Sequence, residues 1–255
     1  MTGAITGYID VAQITLYAFW GFFAALVFYL RREDKREGYP LESDRSALLR
    51  VQGFPAMPRP KTFILPHGGT QVSPRIEPAG PVRGARPTAP WPGAPLEPTG
   101  NPLVDGIGPA SYALRAEEPD VTFDDGLPRI QPLRAAEGFY LDDRDPDPRG
   151  MTVVGLDGIA AGTVVEAWID RTETVVRYLE VELAAGGIAL VPVPLARIDG
   201  VSNQVRVRTL TAAQFADVPR LADPDVVTLR EEDRITGYFA GGQLYATPER
   251  AEPLI

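Results

Sequence analysis

The sequence predicts a single N-terminal transmembrane helix followed by a mainly-β domain, a small antiparallel barrel or sandwich. Three observations predict it. The twenty residues from Val11 to Leu30 hold no Asp, Glu, Lys, Arg or Pro. Fourteen prolines fall between Val51 and Ala110. From Met151 onward, short runs of Val, Ile, Leu and aromatics alternate with turn-forming segments.

The apolar stretch is the first element. About 20 apolar residues at a rise of about 1.5 Å span a hydrocarbon core of roughly 30 Å. A helix does this without leaving backbone groups unpaired in lipid. Asp10 and Arg31 bracket the span 11–30, and Tyr8, Tyr17 and Tyr29 stand where rings meet headgroups. A buried core helix rarely runs so long without a charge. A cleaved signal peptide fits poorly, because no Lys or Arg precedes Val11 and no A-x-A-like site follows. Residues 1–30 contain no Lys or Arg, whereas Arg31, Arg32, Lys35 and Arg36 follow at once. Basic residues beside a membrane helix stay on the cytoplasmic side. The expectation is an outer N-terminus, residues 1–10, and a cytoplasmic domain after Leu30. Glu33, Asp34 and Glu37 dilute the net charge, but the rule counts Lys and Arg.

The second element, residues 31–104, is Pro-rich and extended. "PAMPRPKTFILPHGG" and "PTAPWPGAPLEPTGNP" do not form helices, since Pro removes a donor and clashes with the preceding turn. A solvated linker has no use for Phe63, Ile64, Leu65, Trp91, Leu96 and Leu103, which are interspersed here. The segment reads as chain lying against a surface, with a partner's surface as the candidate.

The third element, residues 105–255, holds the strands. "TVVEAWID", "VVRYLEVEL", "IALVPVPL" and "QVRVRTL" are separated by "DRTET", "AAGG" and "DGVSN". Val205, Arg206, Val207 and Arg208 alternate with the period of a half-buried strand. In "DPDVVTLREEDRITGYF", Asp223 is the expected N-cap of a helix, Pro224 its first residue, and "AGG" at Ala240–Gly242 its end.

Composition narrows the chemistry. Without cysteine there is no disulfide, thiolate zinc site or cysteine nucleophile. A single histidine, His67, leaves no histidine-based metal cluster. The net charge of −9 argues against a nucleic-acid partner. No GxxxxGK[ST] or GxGxxG is present. A hydrolase built on His67 lacks a serine elbow. What remains is acidic: a zone from Glu117 to Asp147, and a group of Asp170, Glu173, Glu180 and Glu182 with Arg171 and Arg177 among them. Solvated loops and strand faces are one reading. The other is a proton relay or divalent-cation site, since neighbouring carboxylates push one another's pKa values apart. The EF-hand spacing is absent. Gly21 and Ala25 form a small-xxx-small pair on the membrane helix, and seven of the chain's aromatics lie between Tyr17 and Tyr29. That density fits packing against other membrane helices or pigments.

Several separated motifs resemble one family. They are "REGYPLE" (36–42), "PKTFILPHG" (60–68), "PTGNP" and "DGIGPASY" (98–112), "RYLEVEL" (177–183) and "EEDRITGYFAGG" (231–242). In this order they resemble the H subunit of the photosynthetic reaction centre of purple bacteria, over most of the length. The resemblance implies one membrane helix, a cytoplasmic domain around a PRC-barrel, and no catalysis or pigment of its own. It implies a location in the bacterial inner, intracytoplasmic photosynthetic membrane. The implied partners are the L and M subunits, which carry bacteriochlorophyll, bacteriopheophytin, quinones and non-haem iron. A cytochrome subunit and a light-harvesting ring are further partners it allows. The implied role is to cap and stabilise L and M and to shape proton delivery to the secondary quinone. The family's proton-path carboxylates match Asp124 in "FDDG" and Asp170 and Glu173 in "WIDRTE", with Arg177 as the basic residue beside them. Two surface histidines found in some members correspond here to Gly126 and Pro128, which leaves Asp125 or the acidic loop as a substitute entrance. The competing reading is a membrane-tethered β-barrel scaffold that binds another soluble protein, without photochemistry.

Overall fold

Asp10 starts the first helix by a reciprocal cap. Its Oδ1 accepts from the Gln13 amide at 2.8 Å, and the Gln13 side chain accepts from the Asp10 amide at 3.3 Å. The helix α1 runs Val11–Glu33, three residues past the apolar stretch, and none of its residues is buried. It is the one candidate membrane span among the described residues. The structure is a computed structural model, and it describes residues 10–39, 41–43, 46–50, 52–66, 68–74, 83–91 and 94–251. Tyr8 and His67 lie outside the described residues.

The chain divides into two units, Met1–Pro81 with Ala89–Ala94, and Val82–Thr88 with Pro95–Ile255. In the first, α1 is followed by β1 (Glu42–Ser43) paired with β2 (Ser46–Arg50), and by β3 (Lys61–Ile64) paired with β4 (Thr70–Ser73). Two basic residues just past the end of α1, in the 3-10 turn Asp34–Arg36, hold the chain that follows. The buried Lys35 ammonium donates to the carbonyls of Gln52, Gly53 and Pro55. Arg36 donates to Glu33 and to the carbonyls of Arg59 and Ser73. Phe63, Ile64, Leu65 and Val72 on the β3–β4 hairpin are exposed.

The second unit begins with β5 (Ala85–Pro87) and β6 (Leu96–Pro98), which pair with each other. A single turn, α2 (Pro102–Asp105), follows, capped by the Asn101 side chain. Leu103 in this turn is buried in the unit's own core, so it does not belong with the apolar residues left for a partner surface.

The main sheet comprises β7 (Ile130–Pro132), β8 (Thr152–Val154), β9 (Ala160–Asp170), β10 (Val175–Leu183), β11 (Ile188–Pro192), β12 (Ala196–Asp199) and β13 (Gln204–Val207). The order is β11-β10-β9-β8-β13-β12, with β7 also on β9. Every pair in it is antiparallel except β8 with β13. Gly186 and Gly187, in the "AAGG" turn, take φ of 93° and 83°, the left-handed region that glycine tolerates best. Val205 and Val207 are buried while Arg206 and Arg208 are exposed, as the alternation requires. Trp168, Leu179, Val181, Val191, Phe215, Ile235 and Phe239 are buried together in one core. Burying each such side chain contributes about 1.5–3 kcal/mol.

The last helix corrects two expectations. α3 runs Leu229–Tyr245, and its N-cap is Thr228, not Asp223. Thr228 Oγ1 accepts from the Glu231 amide at 3.2 Å, and the Glu231 carboxylate accepts from the Thr228 amide at 2.8 Å. That reciprocal cap satisfies two donors at once. Asp223 instead turns the chain, accepting from the Asp225 amide at 2.9 Å. Nor does "AGG" end the helix. Gly241 and Gly242 are buried within it, and a Cβ on Gly242 would lie 1.8 Å from the Thr209 carbonyl oxygen. The glycines let α3 approach the chain at Thr209.

Candidate functional site

The site forms where β9 ends. Asp170 is its last residue, paired with Ile130 of β7 and Val175 of β10. Its side chain is completely buried. Oδ1 accepts from the Thr172 and Glu173 amides, each at 3.0 Å, which shapes the turn into β10. Arg129, the residue before β7, reaches the same carboxylate. Its Nε donates to Oδ1 at 3.0 Å, and its Nη2 stands 2.8 Å from Oδ2. The Oδ2 contact lacks hydrogen-bond alignment, so that oxygen has a charge partner and a spare acceptor position. Arg129 also donates to Glu173 at 2.9 Å and to Asp120 at 3.4 Å. Arg177, on β10, stands 3.8 Å from Asp170 and 3.9 Å from Glu173.

Burial pushes the Asp170 carboxyl upward, but Arg129 and the two amides outweigh burial and hold it below the usual range. A proton relay at neutral pH needs carboxylates shifted upward, toward neutrality. Asp170 departs from it, because a guanidinium that no spacing in the sequence announced lies directly on it. A carboxylate held this way carries charge rather than a proton at neutral pH. The upward shift falls on Glu232, on the first turns of α3. Burial raises it, partly offset by the Tyr178 hydroxyl, which donates at 3.2 Å, and by Arg115 and Arg177.

The five residues proposed from sequence therefore separate. Asp170, Glu173 and Arg177 come together around Arg129. Asp125 belongs to a neighbouring group, where it accepts from Arg171, Thr122 and the Leu127 amide at 3.0 Å. Its hydrogen bond from Arg171 holds it far below the usual carboxylate range. Asp124 is exposed on the same turn and joins neither group. The sequence group of Asp170, Glu173, Glu180 and Glu182 also splits. Glu180 accepts from the Trp168 indole at 2.7 Å and from Arg134 at 2.9 Å, and Arg134 continues to Asp225 at 2.7 Å. The register places Glu180 opposite Glu166 and Leu190, away from the β9–β10 turn. Glu182 is exposed. Among the described residues no three His, Cys, Asp or Glu side chains are set to hold a metal ion.

Sequence reasoning missed Arg129, Tyr178 and Glu232. Arg129 is legible only as a lone base before a strand. Glu232 lies in a motif that reads as a helix face. Two family models match the chain. One, described as photosynthetic reaction centre, H-chain N-terminal region, covers residues 3–135. The other, described as PRC-barrel domain, covers residues 142–214, a span that contains β8 to β13.

Proposed function

The chain belongs to the photosynthetic reaction centre H-chain family, and from that premise we propose that it caps the cytoplasmic face of the L and M subunits and assists proton delivery to the secondary quinone. It is a membrane-anchored subunit of a reaction centre complex. In this reading its N-terminus is periplasmic and its barrel cytoplasmic, as the basic residues after Leu30 support. The bacteriochlorophyll, bacteriopheophytin, quinones and non-haem iron sit on its partners, and this chain performs no catalysis. The exposed apolar residues of the β3–β4 hairpin support the capping role. A lone two-stranded hairpin is marginal in water, and a covering subunit would order it.

The observation that carries the proton role is the charged cluster around Arg129. Glu173 is half-exposed, bound to Arg129, and next to the buried Asp170 anion. Glu173 would meet solvent at the outer edge of the cluster. Asp170 would supply fixed negative charge that favours a proton, or a hydronium in water, moving inward. Glu232, raised by burial, would be a holder of protons closer to neutral pH.

The test is flash-induced second-electron transfer to the secondary quinone, followed against pH in complexes carrying Glu173→Gln or Asp170→Asn. Both should slow the proton-coupled step and leave the initial charge separation intact, since that occurs in L and M. Asp124→Asn should change little. Unchanged rates in both Glu173→Gln and Asp170→Asn would leave this chain as structural cover alone.

A further inference from the structure

The β3–β4 hairpin carries exposed apolar side chains on both of its faces. Its register sets Lys61 opposite Ser73 and Phe63 opposite Gln71, and it sets Thr62 opposite Val72 and Ile64 opposite Thr70. Directly opposed residues share a face, and successive residues alternate between faces. Phe63 therefore lies on one face, 45% exposed, and Ile64 and Val72 lie on the other, 83% and 45% exposed. A sheet that rests on one surface needs one apolar face and leaves the other to water. Residues 62–72 also hold no Asp, Glu, Lys or Arg.

The base of the hairpin is fastened to the end of α1. Arg36 Nη1 donates to the carbonyl of Arg59, just before β3, at 3.0 Å, and to that of Ser73, the last residue of β4, at 2.9 Å. One guanidinium thus spans the open ends of both strands. Its Nε and Nη2 grip the two oxygens of Glu33, the last residue of α1, at 2.9 and 3.0 Å. Ser73 Oγ donates back to the Arg36 carbonyl at 2.9 Å, and Lys61 Nζ donates to Glu33 at 2.8 Å. The far end closes on itself: the Leu65 amide donates to the Gly69 carbonyl and the Gly68 amide to the Leu65 carbonyl, each at 3.1 Å. The four-residue strands form an arm of about 13 Å at about 3.3 Å per residue, fixed at one end and bare on two sides.

We propose that this arm is a wedge, seated in an uncharged, two-walled cleft of the capped L–M surface, and that Arg36 is the positioning residue that aims it. The proposal rests on the capping reading. Apolar side chains on two faces call for two walls. The lack of charge between Thr62 and Val72 calls for uncharged walls, since burying an unpaired charge is costly. A bilayer is the poorer occupant. A two-stranded sheet has a row of unpaired N–H and C=O groups along each outer edge, which hydrocarbon leaves unpaired and a protein cleft can pair. Arg36 sets the angle because both strand ends hang from the same guanidinium, whose side chain is only 11% exposed.

Titrating the full-length chain into detergent-solubilised L–M complex stripped of it tests this through the dissociation constant. Phe63→Ala, on one face, and Ile64→Ala, on the other, should each weaken binding about tenfold or more, the fold-change for losing a buried apolar side chain. Arg36→Gln should weaken it at least as much, and Arg36→Lys should not restore it, because an ammonium lacks the fork that spans both strand ends. In the Arg36→Gln background, Phe63→Ala should change binding little further, since an unaimed wedge no longer seats. A merely structural Arg36 would leave the two effects additive, and additivity overturns its positioning role. A loss confined to one face would make the arm a flat contact and overturn the wedge, as would binding unmoved by all three substitutions. Variants that weaken only the chain's association with phosphatidylcholine vesicles would give the arm to the bilayer and also overturn it. A wild-type chain that does not bind L–M at all would refute the capping reading instead, and the wedge with it.

Discussion

Arg129→Gln removes the guanidinium from a carboxylate that is completely buried. What stays with Asp170 is the pair of amides from Thr172 and Glu173, each at 3.0 Å, and Arg177 at 3.8 Å. Breaking a buried ion pair from one side costs about 3–5 kcal/mol. The lower end applies here, because Arg129 is itself 27% exposed and the amides remain. A loss of about 3 kcal/mol lowers the melting temperature of a unit this size by about 6–12 °C. The pH dependence should also change sign. In the wild type, Asp170 lies below its unfolded value of about 3.9, so its stabilisation is present above that value and lost as pH falls through the folded one. Without Arg129, burial is the leading influence and raises the folded value. Stability should then decline as pH rises through it. Urea unfolding of the full chain in mild detergent, followed by circular dichroism from pH 4 to 8, measures both effects. Arg129→Gln with Asp170→Asn should recover most of the loss, since no buried charge remains. A single-variant loss under about 1 kcal/mol, with the wild-type pH slope, would refute the reasoning.

Two further substitutions probe α3. Gly242→Ala places a Cβ 1.8 Å from the Thr209 oxygen and 2.7 Å from its carbonyl carbon, backbone atoms that have no rotamer to yield. It should cost about 3 kcal/mol, the upper end of overpacking, and an unchanged calorimetric melting temperature would show that α3 can lift away cheaply. Glu232 has a raised folded pKa, so its contribution is fully present below the unfolded value of about 4.3 and is lost as pH rises through the folded one. Glu232→Gln should abolish that decline, and parallel melting-versus-pH curves for the two proteins would count against the raised value.

The sequence by itself determined the parts whose signals are local. Twenty residues without a charge make an apolar helix long enough to cross a bilayer, because span length and hydropathy are read residue by residue. Strict alternation at Val205–Arg208 makes a half-buried strand, because successive side chains point to opposite faces. The motifs from Arg36 to Gly242 identified the family. The cap of α3 was local too: Thr228 and Glu231 form a T-x-x-E capping box, whereas Asp223 has Val226 at the answering position. Tertiary structure decided the rest. Gly241 and Gly242 look like a helix stop until Ala110 and Thr209 come against them. Asp170, Glu173, Glu180 and Glu182 look like one acidic group, but the register on β9 and β10 sends Glu180 to Trp168 and leaves Asp170 at the turn. The deciding partner of Asp170 is Arg129, 41 residues earlier. A buried charge takes its pKa from whatever cation the fold brings within about 3 Å, and that distance is set by the pairing of β7 with β9, which no spacing along the chain encodes.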